Sequence, residues 1–128
     1  MKVKGIVSLW LGCIDSDDAL DELMEVKYNK DGDSFPSKFA EIFFISRYDD
    51  DYREADFYEK PKNSLEKVLE GFSYYKIITP KFKEFKIIQE VKDYNCVILL
   101  YDFEYDGKVK KSKQKSLYLE YIGSTKYE

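Results

Sequence analysis

Histidine is absent from this chain of 128 residues, and cysteine occurs only twice. Without histidine, a Ser-His-Asp triad, a Cys-His dyad and any zinc site built on histidine are excluded. Two cysteines are also too few for a four-cysteine zinc site or a disulfide framework. General acid–base chemistry would have to rest on carboxylates, lysine or tyrosine, so an enzyme is the less favoured class of function.

Long apolar runs are also missing. No stretch approaches the length that a membrane-spanning helix needs, so no membrane partner is expected. The N-terminal lysines and the apolar run after them turn acidic at Asp15, which favours a first strand over a signal peptide. Cys13 and Cys96 lie in apolar stretches, which is typical of buried thiols in a reducing compartment. We therefore expect a cytoplasmic protein.

Negative charge exceeds positive charge, and the excess lies in the first half. The net charge is −4, and residues 1–64 carry 15 acidic and 9 basic side chains, against 10 and 12 in residues 65–128. An acidic half disfavours nucleic acid as the partner and favours a cationic one. Aromatic residues make up 17% of the chain and are mostly Tyr and Phe, which serve both cores and binding surfaces.

The apolar patterns predict a single α+β domain over residues 1–128, with a mostly antiparallel sheet and helices packed against one face. Gly5–Gly12 is a β-type run that predicts a central strand. Cys96–Gly107 and Ser116–Tyr127 are predicted to pair as an antiparallel hairpin beside that strand. Alternation in the first of these two segments predicts one shared face for Leu99, Tyr101, Phe103 and Tyr105.

Four helices are predicted between these strands. The first begins at Asp15, the second has Pro36 in its first turn, and the fourth begins at Thr79-Pro80. The third is capped by Asn63 or Ser64 and ended by Gly71. The predicted apolar faces are, in order, Leu20, Leu23 and Met24; Phe35, Phe39, Ile42 and Phe43; Leu65, Val68, Leu69 and Phe72; and Phe82, Phe85 and Ile88.

Two lysine-bearing segments were considered as ligand sites. Asn29–Ser34 is a turn signal that suggests the calcium-binding loop of an EF-hand. In that alignment Lys27 and Lys38 fall at ligand positions, where their positive charge would repel calcium. The link between the last two predicted strands is read as a solvated loop that blunts sheet edges, with a phosphate-binding finger as the alternative. Its lysines are Lys108, Lys110, Lys111, Lys113 and Lys115. The chain has no P-loop and no dinucleotide fingerprint, so no cofactor is expected, and no residue is assigned as a metal ligand.

The segment Tyr48–Glu59 combines charge with aromatic rings, since six of its twelve residues are acidic. Four interpretations stay open: a carboxylate catalytic pair, a magnesium site, a solvated turn, and a surface for a basic partner. The acidic start of the first helix would extend the same surface. The candidate partner-binding residues are Tyr48, Asp49, Asp50, Asp51, Tyr52, Glu54, Asp56, Asp15, Asp17 and Asp18.

Nearly the whole chain resembles the immunity protein 22 family of bacterial polymorphic toxin systems. The resemblance rests on the segments Val7–Gly12, Tyr48–Glu54, Glu70–Tyr74, Val97–Gly107 and Tyr121–Tyr127. It implies a cytoplasmic α+β protein that binds and neutralises a cognate toxin and catalyses no reaction. The family's signature positions map to Trp10, Gly71 and Phe72, whereas Cys13 departs from the polar residue expected after the "LWLG" run.

Many toxins of this kind are nucleases, whose phosphate-gripping surface is basic, so a basic toxin surface is expected to meet the acidic residues of this chain. A small enzyme dependent on Asp or Glu, with or without magnesium, is the alternative. A housekeeping interaction module with another basic partner is the third hypothesis.

Overall fold

A computed structural model describes residues 1–85, 93–114 and 116–128. Its strands are β1 (Lys2–Ile14), β2 (Lys27–Tyr28), β3 (Ser34–Phe35), β4 (Arg53–Lys62), β5 (Tyr94–Phe103), β6 (Lys111–Gln114) and β7 (Leu117–Lys126). In this described part, β2 and β3 form a small hairpin, and the other strands form one sheet in the order β4-β5-β1-β7-β6. Every pairing is antiparallel. The predicted α+β class, the antiparallel sheet and the central position of β1 are confirmed.

The helices are α1 (Asp17–Met24), α2 (Lys38–Ile42), α3 (Leu65–Leu69) and α4 (Tyr75–Phe82), and a 3₁₀ helix spans Asp50–Tyr52. A serine caps the N-terminus of each of the first three α-helices, because its hydroxyl accepts the backbone N–H three residues further on. The three caps are Ser16 with Ala19 at 3.0 Å, Ser37 with Ala40 at 3.2 Å, and Ser64 with Lys67 at 3.3 Å.

The third helix was predicted closely, since Ser64 caps it and Gly71 follows its end at a left-handed φ of 92°. The other starts were wrong. Asp15 precedes the cap of α1, and Pro36 precedes the cap of α2, because in both places a serine supplies the better-placed acceptor. Phe35 is accordingly an exposed strand residue and is not part of the α2 face.

Thr79-Pro80 was also misread as a helix start. The helix α4 begins five residues earlier in the chain, at Tyr75, and Pro80 lies within its last turn. A proline there removes one hydrogen bond of a helix that ends two residues later at Phe82, so its effect is confined to the final turn. Phe82 is buried as predicted, whereas Ile88 lies outside the described residues.

Helices cover both faces of the sheet, where the sequence analysis expected only one. Val7, Leu9 and Leu11 of β1 pack in one apolar layer with α3 and α4, while Trp10 and Ile14 pack in a second layer with α1 and α2. The reason is visible in β1 and β5, whose apolar runs are nearly continuous. Strands of that kind are buried on both sides, whereas strict alternation marks a strand with one solvated face.

The predicted hairpin of the last two long strands is wrong, because β5 and β7 flank β1 on opposite sides. The hairpin partner of β7 is β6, which forms inside the lysine-rich link. The predicted common face of β5 also breaks at Asp102, which has a φ of 55°. Leu99 and Tyr101 pack with α3 and α4, but Phe103 and Tyr105 pack in the other layer.

The two thiols differ in environment. Cys96 is buried as predicted, and burial raises the pKa of its thiol to about 12. Cys13 is only half-buried, and its Sγ donates to the carbonyl oxygen of Asp93 at 3.3 Å. The prediction of two buried thiols therefore holds for Cys96 alone.

Candidate functional site

The acidic segment forms a 3₁₀ helix followed by an outer strand. The Asp49 carboxylate accepts the backbone N–H of Asp51 at 3.0 Å and so caps the 3₁₀ helix. The chain then runs into β4, which is the first strand of the sheet order. Sequence reasoning missed β4, because charged residues interrupt its alternation, and outer strands are commonly protected by such charges. One sign of a strand was present in the sequence, because Ala55 and Phe57 are apolar residues at a spacing of two. Both are half-buried in the structure.

The carboxylates of Asp49, Asp50 and Asp51 offer oxygen atoms within 4.8 Å of one another. Magnesium and calcium prefer oxygen ligands of this kind. All three residues are exposed, however, and Asp49 already uses its carboxylate to cap the 3₁₀ helix. The arrangement is therefore that of a solvated, capped turn whose negative charge faces outward.

An open cleft of about 480 Å³ brings the two acidic segments together. Asp17 of α1 lines it together with Asp50 and Glu54. The apolar part of its lining is Leu20, Met24, Val26, Ala55 and Phe72. The charged part, counted over the described residues, is Asp17, Asp21, Glu25, Asp50, Arg53 and Glu54. We call this feature the acidic cleft, since five carboxylates there surround one guanidinium.

Two side chains of the acidic cleft also hold the fold together. Arg53 donates from Nη1 to the carbonyl oxygen of Met24 at 2.9 Å, which ties β4 to the end of α1. Glu54 accepts the backbone N–H of Ser73 at 3.0 Å and the Ser73 hydroxyl at 3.1 Å. Burial, and then hydrogen bonding to Glu54, raise the pKa of the neighbouring Tyr101. Glu54 therefore fixes the loop after α3 as well as lining the cleft.

The remaining predicted site residues lie outside the cleft lining. Tyr48 is half-buried, because its ring packs edge-on against Phe39 at 6.3 Å and its hydroxyl lies 3.2 Å from Ser37 Oγ. Asp15 and Asp18 are exposed beside the start of α1. Asp56 is also exposed, and its carboxylate accepts the N–H of Phe57 at 2.8 Å on β4.

A wider groove of about 1010 Å³ adjoins the acidic cleft and shares Asp50 and Val26 with it. Three exposed rings line this groove, with exposed fractions of 64% for Tyr28, 51% for Phe35 and 49% for Tyr52. We call it the aromatic groove. Sequence reasoning named Tyr52 but missed Tyr28 and Phe35, which lie on β2 and β3 at the two ends of the turn at Asn29–Ser34. An aromatic residue on each side of a turn signal could have indicated a hairpin there.

The described helices include none that is long and apolar enough to cross a membrane. The fold and the cleft thus define a small α+β protein with a carboxylate-rich surface cleft beside exposed rings. The chain belongs to the family described as Immunity protein 22, which matches residues 7–128 and confirms the resemblance seen in the sequence. No curated protein and no solved structure matches the chain.

Proposed function

We propose that this chain is a toxin-neutralising protein of the bacterial cytoplasm that binds a basic surface of its cognate toxin and catalyses no reaction. Membership of the Immunity protein 22 family supports the class of function. The observation that supports the location of the binding surface is the acidic cleft. Carboxylates from α1 and from the segment Asp50–Glu54 come together there beside apolar residues of the lining. The two segments are far apart in the chain.

Such a cleft suits lysine and arginine side chains in two ways. Their aliphatic stems can pack on an apolar residue of the lining such as Phe72, while their charged groups reach the carboxylates. Two unit charges at about 4 Å interact by about 1 kcal/mol in water and about 4 kcal/mol at an effective dielectric of about 20. Charges at the rim therefore act mainly on the association rate, and pairs that lose their water act on dissociation.

The aromatic groove would supply contact area beside the charged region. Tyrosine and other rigid rings dominate many protein interfaces, because they bury a large area while losing little conformational entropy. Tyr28, Phe35 and Tyr52 are exposed in the free protein, and Asp50 joins the groove to the acidic cleft. A basic nuclease domain, which grips phosphate, is the kind of toxin that this combination fits best.

Charge reversal in the cleft tests the proposal. We expect a triple variant with Asp21→Lys, Glu25→Lys and Asp50→Lys to lose protection when it is co-expressed with a toxin domain encoded by a neighbouring gene. These three exposed residues are chosen because reversing Asp49 or Glu54 would also remove the hydrogen bonds that hold the 3₁₀ helix and the loop at Ser73.

The matched control reverses three exposed carboxylates outside the cleft, Glu84, Glu104 and Glu128, so that the net charge changes by the same amount. It should protect as well as the parent, and circular dichroism should show that both variants are folded. A folded cleft variant that still protects would contradict the proposed surface. Magnesium-dependent turnover by the purified protein, abolished by Asp51→Asn, would favour the enzyme alternative instead.

A further inference from the structure

The two outer strands of the described sheet differ in length and in charge. β6 has four residues, two of them lysines, whereas β4 has ten residues and begins inside the acidic cleft. An outer strand presents backbone N–H and C=O groups that another chain can pair with. The question is whether the outward backbone of β4 is accessible and which partner it suits.

The hydrogen bonds show which residues of β4 point outward. The N–H of Phe57 donates to the Asp56 carboxylate at 2.8 Å, so it is turned away from β5. The register from Arg53 to Phe57 is unbroken, and backbone direction alternates along an antiparallel strand. Arg53 and Ala55 therefore also direct their N–H and C=O groups away from the sheet.

The opposite side of β5 gives the same assignment independently. Ile14 of β1 exchanges two hydrogen bonds with the Asn95 side chain, at 2.8 and 3.0 Å, so its backbone faces β5. Backbone direction alternates along each antiparallel strand, so the direction at Ile14 can be carried through the registers of β1 with β5 and of β5 with β4. By this rule the N–H and C=O groups of Glu54 and Asp56 point towards β5. Ala55, between them, faces the open edge.

The acidic cleft lies along this edge. Its lining includes Arg53, Glu54 and Ala55 of β4, with α1 on one side and Phe72 on the other. The side chains of Arg53 and Ala55 are on the α1 side, and that of Glu54 is on the side of α3 and α4, where it bonds to Ser73. The outward backbone of β4 thus lies along an open, negatively charged cleft.

We propose that residues 53–57 of β4 pair with an extended, cationic segment of the toxin, which adds to the sheet as a further strand in the acidic cleft. This inference rests on the proposed function and names how the partner binds. Charge decides the occupant: lysines and arginines of the segment meet the carboxylates, whereas a second copy of this acidic edge would be repelled. The lysine-bearing edge at β6 would repel the same segment.

The geometry also predicts the sequence pattern of that segment. Successive side chains of an added strand point to opposite faces of the sheet. One set would face Asp21 and Glu25 on α1, and the other would face Glu54 and Asp56. Basic residues are therefore favoured on both faces, and an apolar residue is favoured opposite Phe72. Main-chain pairing supplies affinity and these pockets supply specificity.

Amide hydrogen exchange, measured by NMR on the full-length labelled chain, tests the pairing directly. The probe is the toxin domain encoded by the neighbouring gene, rendered inactive. We expect exchange at the Ala55 amide to slow by roughly 100-fold or more on complex formation, because an exposed amide becomes hydrogen-bonded. The Glu54 amide is the internal control, since it already pairs with β5 and should change little.

Each outcome of this experiment separates the two proposals. A complex in which Ala55 exchanges as fast as in the free chain overturns strand addition and leaves the proposed function standing. Failure of the toxin domain to bind overturns both. Protection of Ala55 in the free chain that grows with concentration would show that a second copy occupies the edge, and that would overturn the assignment of the occupant.

A backbone variant provides a second measurement. Ala55→Pro removes the outward N–H, which outer strands tolerate, and should weaken toxin binding roughly tenfold. Ala55→Ser keeps the N–H and should therefore bind more tightly than Ala55→Pro does. If Ala55→Pro is folded by circular dichroism and binds with parental affinity, the strand-addition proposal is wrong. If it does not fold, the exchange measurement on the parent decides alone.

Discussion

At the scale of single residues, Trp10 lies at the centre of a cluster of aromatic rings. Its side chain is 0% exposed, and its ring lies 5.0 Å from that of Phe39 and 5.8 Å from that of Phe43, both in edge-on geometry. The rings of Tyr105 and Tyr121 lie 5.3 and 5.2 Å away. Aromatic pairs at these distances add to the stabilisation that burial alone provides.

Replacing this ring should therefore be costly. We expect Trp10→Ala to lower the free energy of unfolding by about 3–5 kcal/mol, because it leaves a large cavity between β1 and α2. Urea denaturation followed by far-UV circular dichroism measures the change, and Cys13→Ala at a half-buried position of the same strand serves as the control. A loss well under about 1 kcal/mol would show that the surrounding rings close the cavity and that Trp10 does not anchor this layer.

Burial of single residues could be predicted where the sequence was apolar on both sides, as at Trp10. Phe72 shows the limit of that reasoning, because helical spacing predicted it to be largely buried. It is half-buried, since α3 ends at Leu69 and Phe72 lies beyond the helix, against the α3 and α4 layer. One side of its ring lines the acidic cleft instead. A helix that stops one turn early thus places an expected core residue in the lining of the acidic cleft.

At the scale of elements, the irregularity at Asp102 connects three strands. Its carboxylate accepts the N–H of Gly5 at 2.8 Å and the hydroxyl of Tyr127 at 2.6 Å, which joins β5 to β1 and to the end of β7. These two hydrogen bonds, with that of Tyr127 the stronger cause, hold the pKa of Asp102 below its usual range. The hydrogen bond to Asp102 also raises the pKa of Tyr127 to about 12.

This arrangement predicts a specific dependence of stability on acid. A carboxyl group whose pKa is lower in the folded state stabilises the fold above its unfolded pKa, about 3.9 for Asp, and that contribution is lost as the pH falls through the lower, folded pKa. We expect Asp102→Asn to be less stable than the parent near neutral pH and to lose less stability on acidification below about pH 4. Asparagine is the right substitution because it tolerates the positive φ of this position.

The measurement is the free energy of urea unfolding of both proteins at a series of pH values. Among the residues that the structure describes, the other carboxylates with lowered pKa values are Glu22 and Glu66, which are common to both proteins and cancel in the difference. Parallel stability curves for the parent and the variant would contradict the role given to Asp102.

Elements with a strong local signal could be predicted, and elements that depend on distant partners could not. β1 was found because its apolar run is bounded by glycines, and α3 because a serine cap and a glycine stop mark its ends. β4 and β6 carry many charges, and only their position at the two sides of the sheet makes such strands stable. The hairpin of β5 and β7 was wrong because β1, which precedes both in the chain, lies between them.

At the scale of the whole molecule, the acidic cleft depends on a meeting of segments that the sequence does not encode locally. The density of carboxylates in Tyr48–Glu59 could be predicted to form a surface, and Asp17 was named as an extension of it. The sequence could not indicate that Asp21 and Glu25 join the same cleft, because that depends on how α1 packs beside β4. Nor could it separate Asp17, which lines the cleft, from its neighbour Asp18, which does not.

The most direct test of the central claim is the association rate between this protein and its cognate toxin domain, measured by surface kinetics at low and high salt. Steering by the acidic cleft predicts a rate for the parent that falls steeply with added salt. The variant with Asp21, Glu25 and Asp50 changed to lysine should associate at least tenfold more slowly at low salt, with little salt dependence. If that variant is folded and matches the Glu84, Glu104 and Glu128 control in rate and salt dependence, the acidic cleft is not the toxin-binding surface.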